Sequence, residues 1–214
     1  MKYTCYIFAR GGSKGIKNKN ISKLNGKPLI YYTIREAKKS KYINRIVVST
    51  DDNKIKRVAK KLKVEILNRP EKLARDKTPE LDAWKHAIKT EKDRFNDNDL
   101  FISLPTTSPL RSVNDINNGI RKYIKSKYDL ILAITPSSRN PYLNMVKINN
   151  HKINLVNSKK TFIRRQDVPK VYDITTVIYV SSRKHILKCK KIMEGKNGYI
   201  VVPKNRSLDI DDKY

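Results

Sequence analysis

Short apolar runs alternate with amphipathic stretches along the first two-thirds of the chain. Tyr3–Phe8, Arg45–Thr50, Val64–Leu67, Leu100–Leu104 and Leu130–Ile134 are β-branched or aromatic and bounded by turn residues, and each predicts a strand. Between them, Leu29–Lys39, Lys54–Lys61, Glu80–Thr90 and Asn114–Ser126 predict helices. In the last of these Ile116, Ile120 and Ile124 recur every fourth residue, which predicts one shared face. Asp51 or Asp52 suits the N-cap of the second helix, and Thr78 followed by Pro79 suits the start of the third. Strand–helix alternation of this kind predicts an α/β fold, a mainly parallel sheet flanked by helices on both faces. After Pro136 the rhythm changes. Met145–Ile148 and Ile153–Val156 flank "NNHK" as a hairpin, and Ile174–Val180 is a further strand. Residues 137–170 therefore read as an antiparallel excursion from the main sheet, within a single domain spanning 1–214 that has no internal repeat and no linker.

Composition narrows the class. The 214 residues suffice for one domain with its own core, and 38% hydrophobic with 32% charged residues reads as soluble and globular. No apolar run reaches the roughly 18 residues of a membrane span. The start does not read as a signal peptide, because the Tyr3–Phe8 apolar core is short and a loop follows it. Two cysteines, Cys5 and Cys189, argue against a disulfide framework and for a reducing cytoplasm. The net charge of +28 raises a nucleic-acid partner. The lysines, however, are scattered along the chain with abundant Asn and Ile, and no aromatic-interleaved basic stretch occurs. A solvated lysine surface is the favoured reading and a polyanion partner the alternative. The basic tract "KRVAKKLK" (Lys56–Lys63) is interleaved with apolar residues and reads as an amphipathic helix.

Ligands of parallel sheets bind at the carboxyl ends of strands. That rule gathers "ARGGSKGIKNKN" (Ala9–Asn20), "STDD" (Ser49–Asp52) and "LPTTSPLR" (Leu104–Arg111) on one edge. The first loop fits neither the dinucleotide pattern nor the P-loop pattern. Its physics is similar: a strand ends, small residues let backbone N–H groups face an anion, and cations complete the neutralisation. Arg10 offers a planar fork, and Lys14 and Lys19 offer point charges, enough for a triphosphate. On these residues alone, a solvated turn is the competing reading. At the other end "SLDIDD" places Asp209 and Asp211 two apart, so an extended backbone turns both to one face. By themselves they read first as an acidic tail. His86 falls in a patterned helix as a packed or capping residue, Cys5 in a core strand, and neither cysteine has zinc-ligand spacing.

"ARGGSKGIKNKNI" closely resembles the signature of the acylneuraminate cytidylyltransferases, the CMP-sialic acid synthetases and their relatives. The resemblance continues through "GKPLIYYTI", "VVSTDD", "NRPEKLARDKTPELDAWKHAI", "TSPLR", "RRQDVPKVY" and "VPKNRSLDIDD", in order and over nearly the whole chain. It implies a Rossmann-like nucleotidyltransferase fold and a reaction in which a nine-carbon keto-sugar acid attacks the α-phosphate of CTP for surface glycan assembly. It also implies that Ala9, Arg10, Gly11, Gly12, Ser13, Lys14, Lys19, Asn20 and Arg69 form the nucleotide site, cations toward the phosphates and Asn20 nearer the ribose or base. Arg10, Lys14, Lys19 and Asp211 would carry the chemistry. Arg165, Thr175, Thr176 and Tyr179 would face the sugar, with Arg165 near its carboxylate, and Asp209 and Asp211 would hold Mg²⁺. The group that deprotonates the sugar is an aspartate or a metal-bound water, with Asp211 the nearest candidate. The resemblance further implies a cytoplasmic homodimer, residues 137–170 reaching toward the partner. Three departures lie on the sugar side: Pro105 where a glutamine is usual, "TTVIY" for "NGAIY", and Tyr142, Leu143 and Asn144 where a lysine is expected after Pro141. An octulosonate cytidylyltransferase is the nearer rival, although its opening block carries an arginine-leucine-proline stretch in place of "KGIKNKN". A basic nucleic-acid binder is the rival from another class.

Overall fold

The computed structural model describes residues 2–13, 15–94, 96, 99–158 and 162–211. In chain order the strands are β1 (Tyr3–Phe8), β2 (Lys23–Leu24), β3 (Lys27–Pro28), β4 (Arg45–Thr50), β5 (Glu65–Asn68), β6 (Leu100–Ser103), β7 (Leu130–Pro136), β8 (Val146–Asn149), β9 (Lys152–Leu155), β10 (Tyr172–Ser182) and β11 (Asn197–Val201). The helices are α1 (Leu29–Lys39), α2 (Asn53–Lys61), α3 (Glu80–Thr90), α4 (Val113–Ile124) and α5 (Arg183–Lys188).

Seven strands form one sheet in the order β11-β7-β10-β6-β1-β4-β5. β1 runs parallel to both β4 and β6, β4 is parallel to β5, and β7 is parallel to β11. Only β10 is antiparallel to its neighbours β6 and β7. From β1 the chain builds outward to β4 and β5, then returns to add β6 on the other side. The strand order reverses between β1 and β6, and such a reversal opens a crevice beyond the carboxyl ends of those strands.

Period-two side-chain alternation explains the layers. From β1, Cys5 and Ile7 pack with α1, α2 and α4, through Ile30, Ile34, Ile55, Ala59, Ile116 and Ile120. Tyr6, between them, points to the opposite face, where Leu81, Trp84, Ala87 and Ile88 of α3 and Ile186 of α5 meet Phe101. Trp84 is fully buried, its ring centroid 5.0 Å from that of Phe101. Burial of this size supplies the main stabilising term.

Local signals set the ends of the helices. Asp52 caps α2, its carboxylate accepting from the backbone N–H groups of Lys54 and Ile55 at 2.6 and 2.9 Å. Ser112 and Asp115 form a reciprocal capping box on α4. At α3 the expected Thr78 cap is absent: Pro79 precedes the helix and the Thr78 hydroxyl donates instead to the carbonyl of Lys72. On α4, Ile116 and Ile120 are buried as expected, but Ile124 is 46% exposed. Each four-residue step on a helix overshoots a full turn by about 40°, so after two steps Ile124 has rotated off the sheet.

Residues 137–170 carry β8 and β9, which pair only with each other and form a hairpin outside the seven-stranded sheet. Among the described residues no helix is long and apolar enough to cross a membrane.

Candidate active site

The crevice at the β1/β6 reversal is a cavity of about 460 Å³. Its walls come from the loop after β1 (Arg10, Ser13, Gly15, Lys19, Asn20), the segment from β5 into α3 (Arg69, Leu73, Arg75, Asp76, Thr78, Pro79, Glu80), the loop after β6 (Pro105, Thr106, Thr107) and Asp211.

The acids after β4 hold the glycine loop. The N–H of Gly11 donates to Asp51 Oδ1 at 3.1 Å, and a Cβ on Gly11 would lie 2.8 Å from Asp52 Oδ2. Gly11 is therefore required by close approach, whereas a Cβ on Gly12 would meet nothing within 4 Å. Asn20 is buried and ties this loop to the next: its Nδ2 donates to the Arg10 carbonyl at 2.9 Å and its Oδ1 accepts from the Thr106 hydroxyl. With both amide atoms engaged, Asn20 shapes the wall from behind. Ala9 is fully buried and bonded to the Ser49 carbonyl, so it anchors the loop without facing the cavity. Lys14 lies outside the described residues.

The cations are already in contact with anionic or dipolar groups. Arg10 pairs with Asp76 at 2.7 Å and donates to the Ala74 carbonyl. Lys19 Nζ donates to the Ile210 carbonyl at 2.8 Å and reaches Asp211 Oδ1 at 3.2 Å. A Cβ on Gly15 would lie 2.3 Å from the carbonyl oxygen of Asp211. The glycine loop and the acidic segment, nearly two hundred residues apart, are thus packed against each other. Arg69 is buried, held by the Ser49 carbonyl at 2.6 Å and lying 5.5 Å from the centroid of the Phe8 ring. Burial pushes its pKa down to about 10, so it stays charged near neutrality.

Asp211 opens on the cavity with its side chain 78% exposed, Ile210 between the two acids is half-buried, and Asp209 is exposed. The Ile210 N–H donates to the Thr107 carbonyl at 2.9 Å and fixes this segment to the loop after β6. Asp209 does not line the cavity, yet its charge acts on Arg111 and on Tyr179. Among the described residues no group of three or more His, Cys, Asp or Glu converges to hold a metal. Two carboxylates, one on the cavity wall, still fit Mg²⁺, which takes few protein ligands and completes its shell with phosphate and water oxygens.

Beneath the loop after β6 lies Arg111, 2% exposed. It donates from Nε to the Val177 carbonyl (2.8 Å), from Nη1 to the Thr33 hydroxyl (2.9 Å), and from Nη2 to the carbonyls of Pro105 (2.5 Å) and Thr176 (3.0 Å). The β10–β7 register jumps here, between Thr175, opposite Ala133, and Tyr179, opposite Leu132. The Thr176 hydroxyl turned out by this bulge meets the hydroxyls of Ser108 (2.7 Å) and Thr107 (3.2 Å).

The residues expected to face the sugar do not share one wall within this chain. Thr175 is buried in β10 and Thr176 joins the hydroxyl cluster. Tyr179 packs on Trp84 with ring centroids 5.5 Å apart, and burial with the charges of Glu80 and Asp209 pushes its phenol up to about 12. Arg165 lines a second cavity of about 350 Å³, with Arg139 and Lys170. Reading the sequence singled out none of Phe8, Arg75, Asp76 or Glu80, all on the wall of the main cavity. The usable signal was the stretch "RPEKLARDKTPE", whose mixed charge follows directly on β5.

A mainly parallel sheet with a cation-lined loop at its reversal point is the fold and site of a nucleotidyltransferase. The profile described as Cytidylyltransferase matches residues 4–201, and the chain belongs to that family of enzymes. It is 36% identical over 212 residues to the CMP-N,N'-diacetyllegionaminic acid synthase of Campylobacter jejuni, covering 98% of this chain and 89% of that one. It is 32% identical over 216 residues to a pseudaminic acid cytidylyltransferase of Campylobacter jejuni, covering 99% and 91%. The same fold occurs in a CMP:2-keto-3-deoxy-manno-octonic acid synthetase complexed with CTP, at a TM-score of 0.75 and 14% identity over 99% of this chain and 94% of that one.

The Gly15–Asp211 contact makes a direct prediction. Gly15→Ala must push the two segments apart and should weaken CTP binding about tenfold or more, near 1.4 kcal/mol, while Gly12→Ala should bind normally. Calorimetric titration of both variants, with melting curves to confirm intact folding, checks this. Equal affinities would show that the contact does not shape the site.

Proposed function

We propose that the protein transfers CMP from CTP to the anomeric hydroxyl of a nonulosonic sugar acid, releasing pyrophosphate. The carrying observation is the single cavity in which Arg10, Ser13 and Lys19 of the glycine loop meet Asp211. In this reading the sugar oxygen attacks the α-phosphorus and forms the new P–O bond. The bond to the α,β-bridging oxygen breaks, pyrophosphate leaves with those electrons, and the hydroxyl proton passes to a base, for which a carboxylate of the Asp209–Asp211 segment is the candidate. Such a transfer relies on charge neutralisation and positioning rather than covalent help. Arg10, now paired with Asp76, and Lys19, now on Asp211, are cations that a triphosphate would share or recruit. Lys14 is assigned to the same group from its place in the loop.

Asp211, with Asp209 beside it, would hold Mg²⁺ against the triphosphate. The ion would supply neutralisation of the phosphate charge. Arg165, Thr175, Thr176 and Tyr179 are assigned to the sugar side. The relatives named above act by name on legionaminic and pseudaminic acids, which supports the nine-carbon class. The Pro105 and "TTVIY" departures leave the individual sugar to assay. The hairpin β8–β9 is assigned to a homodimer contact, supported by its exposed apolar residues: Val146, Ile148 and Ile153 are 54%, 72% and 68% exposed.

Incubation with CTP, Mg²⁺ and a panel of sialic, legionaminic, pseudaminic and octulosonic acids should release pyrophosphate with a nine-carbon acid. Turnover with none of them would discard the reading. Arg10→Ala should lower turnover about 100-fold or more, the scale of losing one charge-stabilising donor, with unchanged melting. A normal rate in that variant would remove the loop from the chemistry. Asp211→Asn should flatten the Mg²⁺ titration, and an unaltered titration counts against the metal assignment. Sedimentation should give a dimer that Ile148→Lys with Ile153→Lys converts to monomer; a variant that stays dimeric would place the contact elsewhere.

A further inference from the structure

The anion-facing side of the cavity carries a carboxylate that a polyanion should avoid. Asp76 lies on the wall with Arg10, Ser13 and Lys19. It belongs to the segment between β5 and α3, which is folded by its own bonds. A short 3₁₀ turn spans Glu71–Leu73, the Thr78 hydroxyl donates to the Lys72 carbonyl at 2.9 Å, and the Thr78 N–H donates to the Arg75 carbonyl at 3.1 Å. That last bond closes a turn with Asp76 and Lys77 at its corner. Bonds within the segment therefore set the place of Asp76, whatever the glycine loop does.

What this carboxylate meets is Arg10. The two pair at 2.7 Å through Nη1, the nitrogen that also donates to the Ala74 carbonyl at 3.3 Å. Nε and Nη2 of Arg10 have no acceptor among the described residues. Two arginines away from the cavity hold their carboxylates differently. Arg45 grips Glu65 with Nε and Nη2 at 2.6 and 2.5 Å, and Arg206 grips Asp115 with the same two atoms at 3.0 and 2.9 Å. The forked grip is the stronger arrangement. The Arg10–Asp76 pair is single-pronged and open to water, its side chains 33% and 37% exposed, and an ion pair of that kind is weak. Arg10 is thus held by a contact it can leave, with part of its fork still open to a phosphate.

We propose that Asp76 is a built-in stand-in for phosphate, which holds Arg10 in the empty site, yields it to the incoming triphosphate and takes it back as pyrophosphate leaves. This rests on the cytidylyl-transfer reading for the identity of the anions. Only ion pairs are exchanged. The guanidinium passes from one carboxylate to phosphate oxygens, which carry more charge and accept both prongs of the fork. The exchange lowers affinity: a bound polyanion must displace Asp76 from Arg10 and then lie beside its uncovered charge. Asp76 therefore loosens the hold on nucleotide and pyrophosphate alike. It also speeds release, because the cation that a departing product leaves has another carboxylate at hand, and release limits turnover in many enzymes. Asp76 sets affinity without itself binding either anion.

The test is calorimetric titration of inorganic pyrophosphate and of CTP, with no sugar and at one Mg²⁺ concentration, into wild type, Asp76→Asn and Asp76→Ala. Both variants should bind both anions about fivefold more tightly, the scale of freeing Arg10 from one partly exposed ion pair. A carboxylate that merely props Arg10 in its pose predicts the opposite sign, so weaker or unchanged binding overturns the proposal. In an Arg10→Ala background the gain should shrink to about twofold or less, the remainder being direct repulsion. An undiminished gain there overturns exchange through Arg10. Melting curves identify a variant that does not fold, and the other variant then decides. The pyrophosphate titration needs neither base nor sugar. Tighter pyrophosphate binding without CMP transfer to any sugar acid leaves the exchange standing and discards the transfer reading, whereas normal transfer with no gain in binding discards the exchange alone.

Discussion

A charged guanidinium sealed inside the protein is the constraint on which the site depends. Arg111 is 2% exposed, and its N–H groups donate to the carbonyls of Pro105, Thr176 and Val177 and to the hydroxyl of Thr33. Burying a cation is costly, and the cost is tolerable only when its N–H groups are bonded and compensating charge lies nearby. Here strong carbonyl dipoles meet the guanidinium at close range, and the carboxylates of Asp115, Asp209 and Glu36 act on it electrostatically. Loss of an acceptor would leave a buried N–H with one bond fewer. Helix α1, the loop after β6 and the bulge of β10 are thereby locked in one relative position. That loop in turn receives the Ile210 N–H at Thr107, so the placement of the acidic segment is inherited from Arg111.

The same economy of charge explains how a protein of net charge +28 keeps three arginines and a lysine around one cavity. Arg10 rests on Asp76, Arg69 on Ser49, and Lys19 on Ile210 and Asp211. These three cations each have a local partner that limits repulsion without neutralising the whole wall. Preorganised charges of this kind need little rearrangement when an anion arrives, which is where their electrostatic advantage lies.

Elements with a strong burial pattern were legible in the sequence. β1, β4, α1 and α3 begin and end where their apolar periodicity does, because each packs one continuous stripe into the two core layers. α5 and β11 were not legible. α5 has six residues, too few for a period to emerge, and β11 contains Gly198, where a Cβ would lie 2.5 Å from the Tyr128 ring. The glycine loop declared its charge and flexibility openly. The Phe8, Asp76 and Glu80 part of the cavity did not, since those residues meet only after the segment following β5 folds back over β1. "TSPLR" carried little information as a motif, because the role of Arg111 lies in which distant carbonyls surround it.

The bonds from Lys19 to Ile210 and Asp211 join residues 191 and 192 positions apart. Contacts closed over such a span form after local ones, since the chain entropy of a long loop must be lost before the contact returns anything. Maturation of this wall of the cavity should therefore trail maturation of the hydrophobic layers. A molecule that has already acquired its helices and central strands would still have an incomplete cavity until this last segment docks.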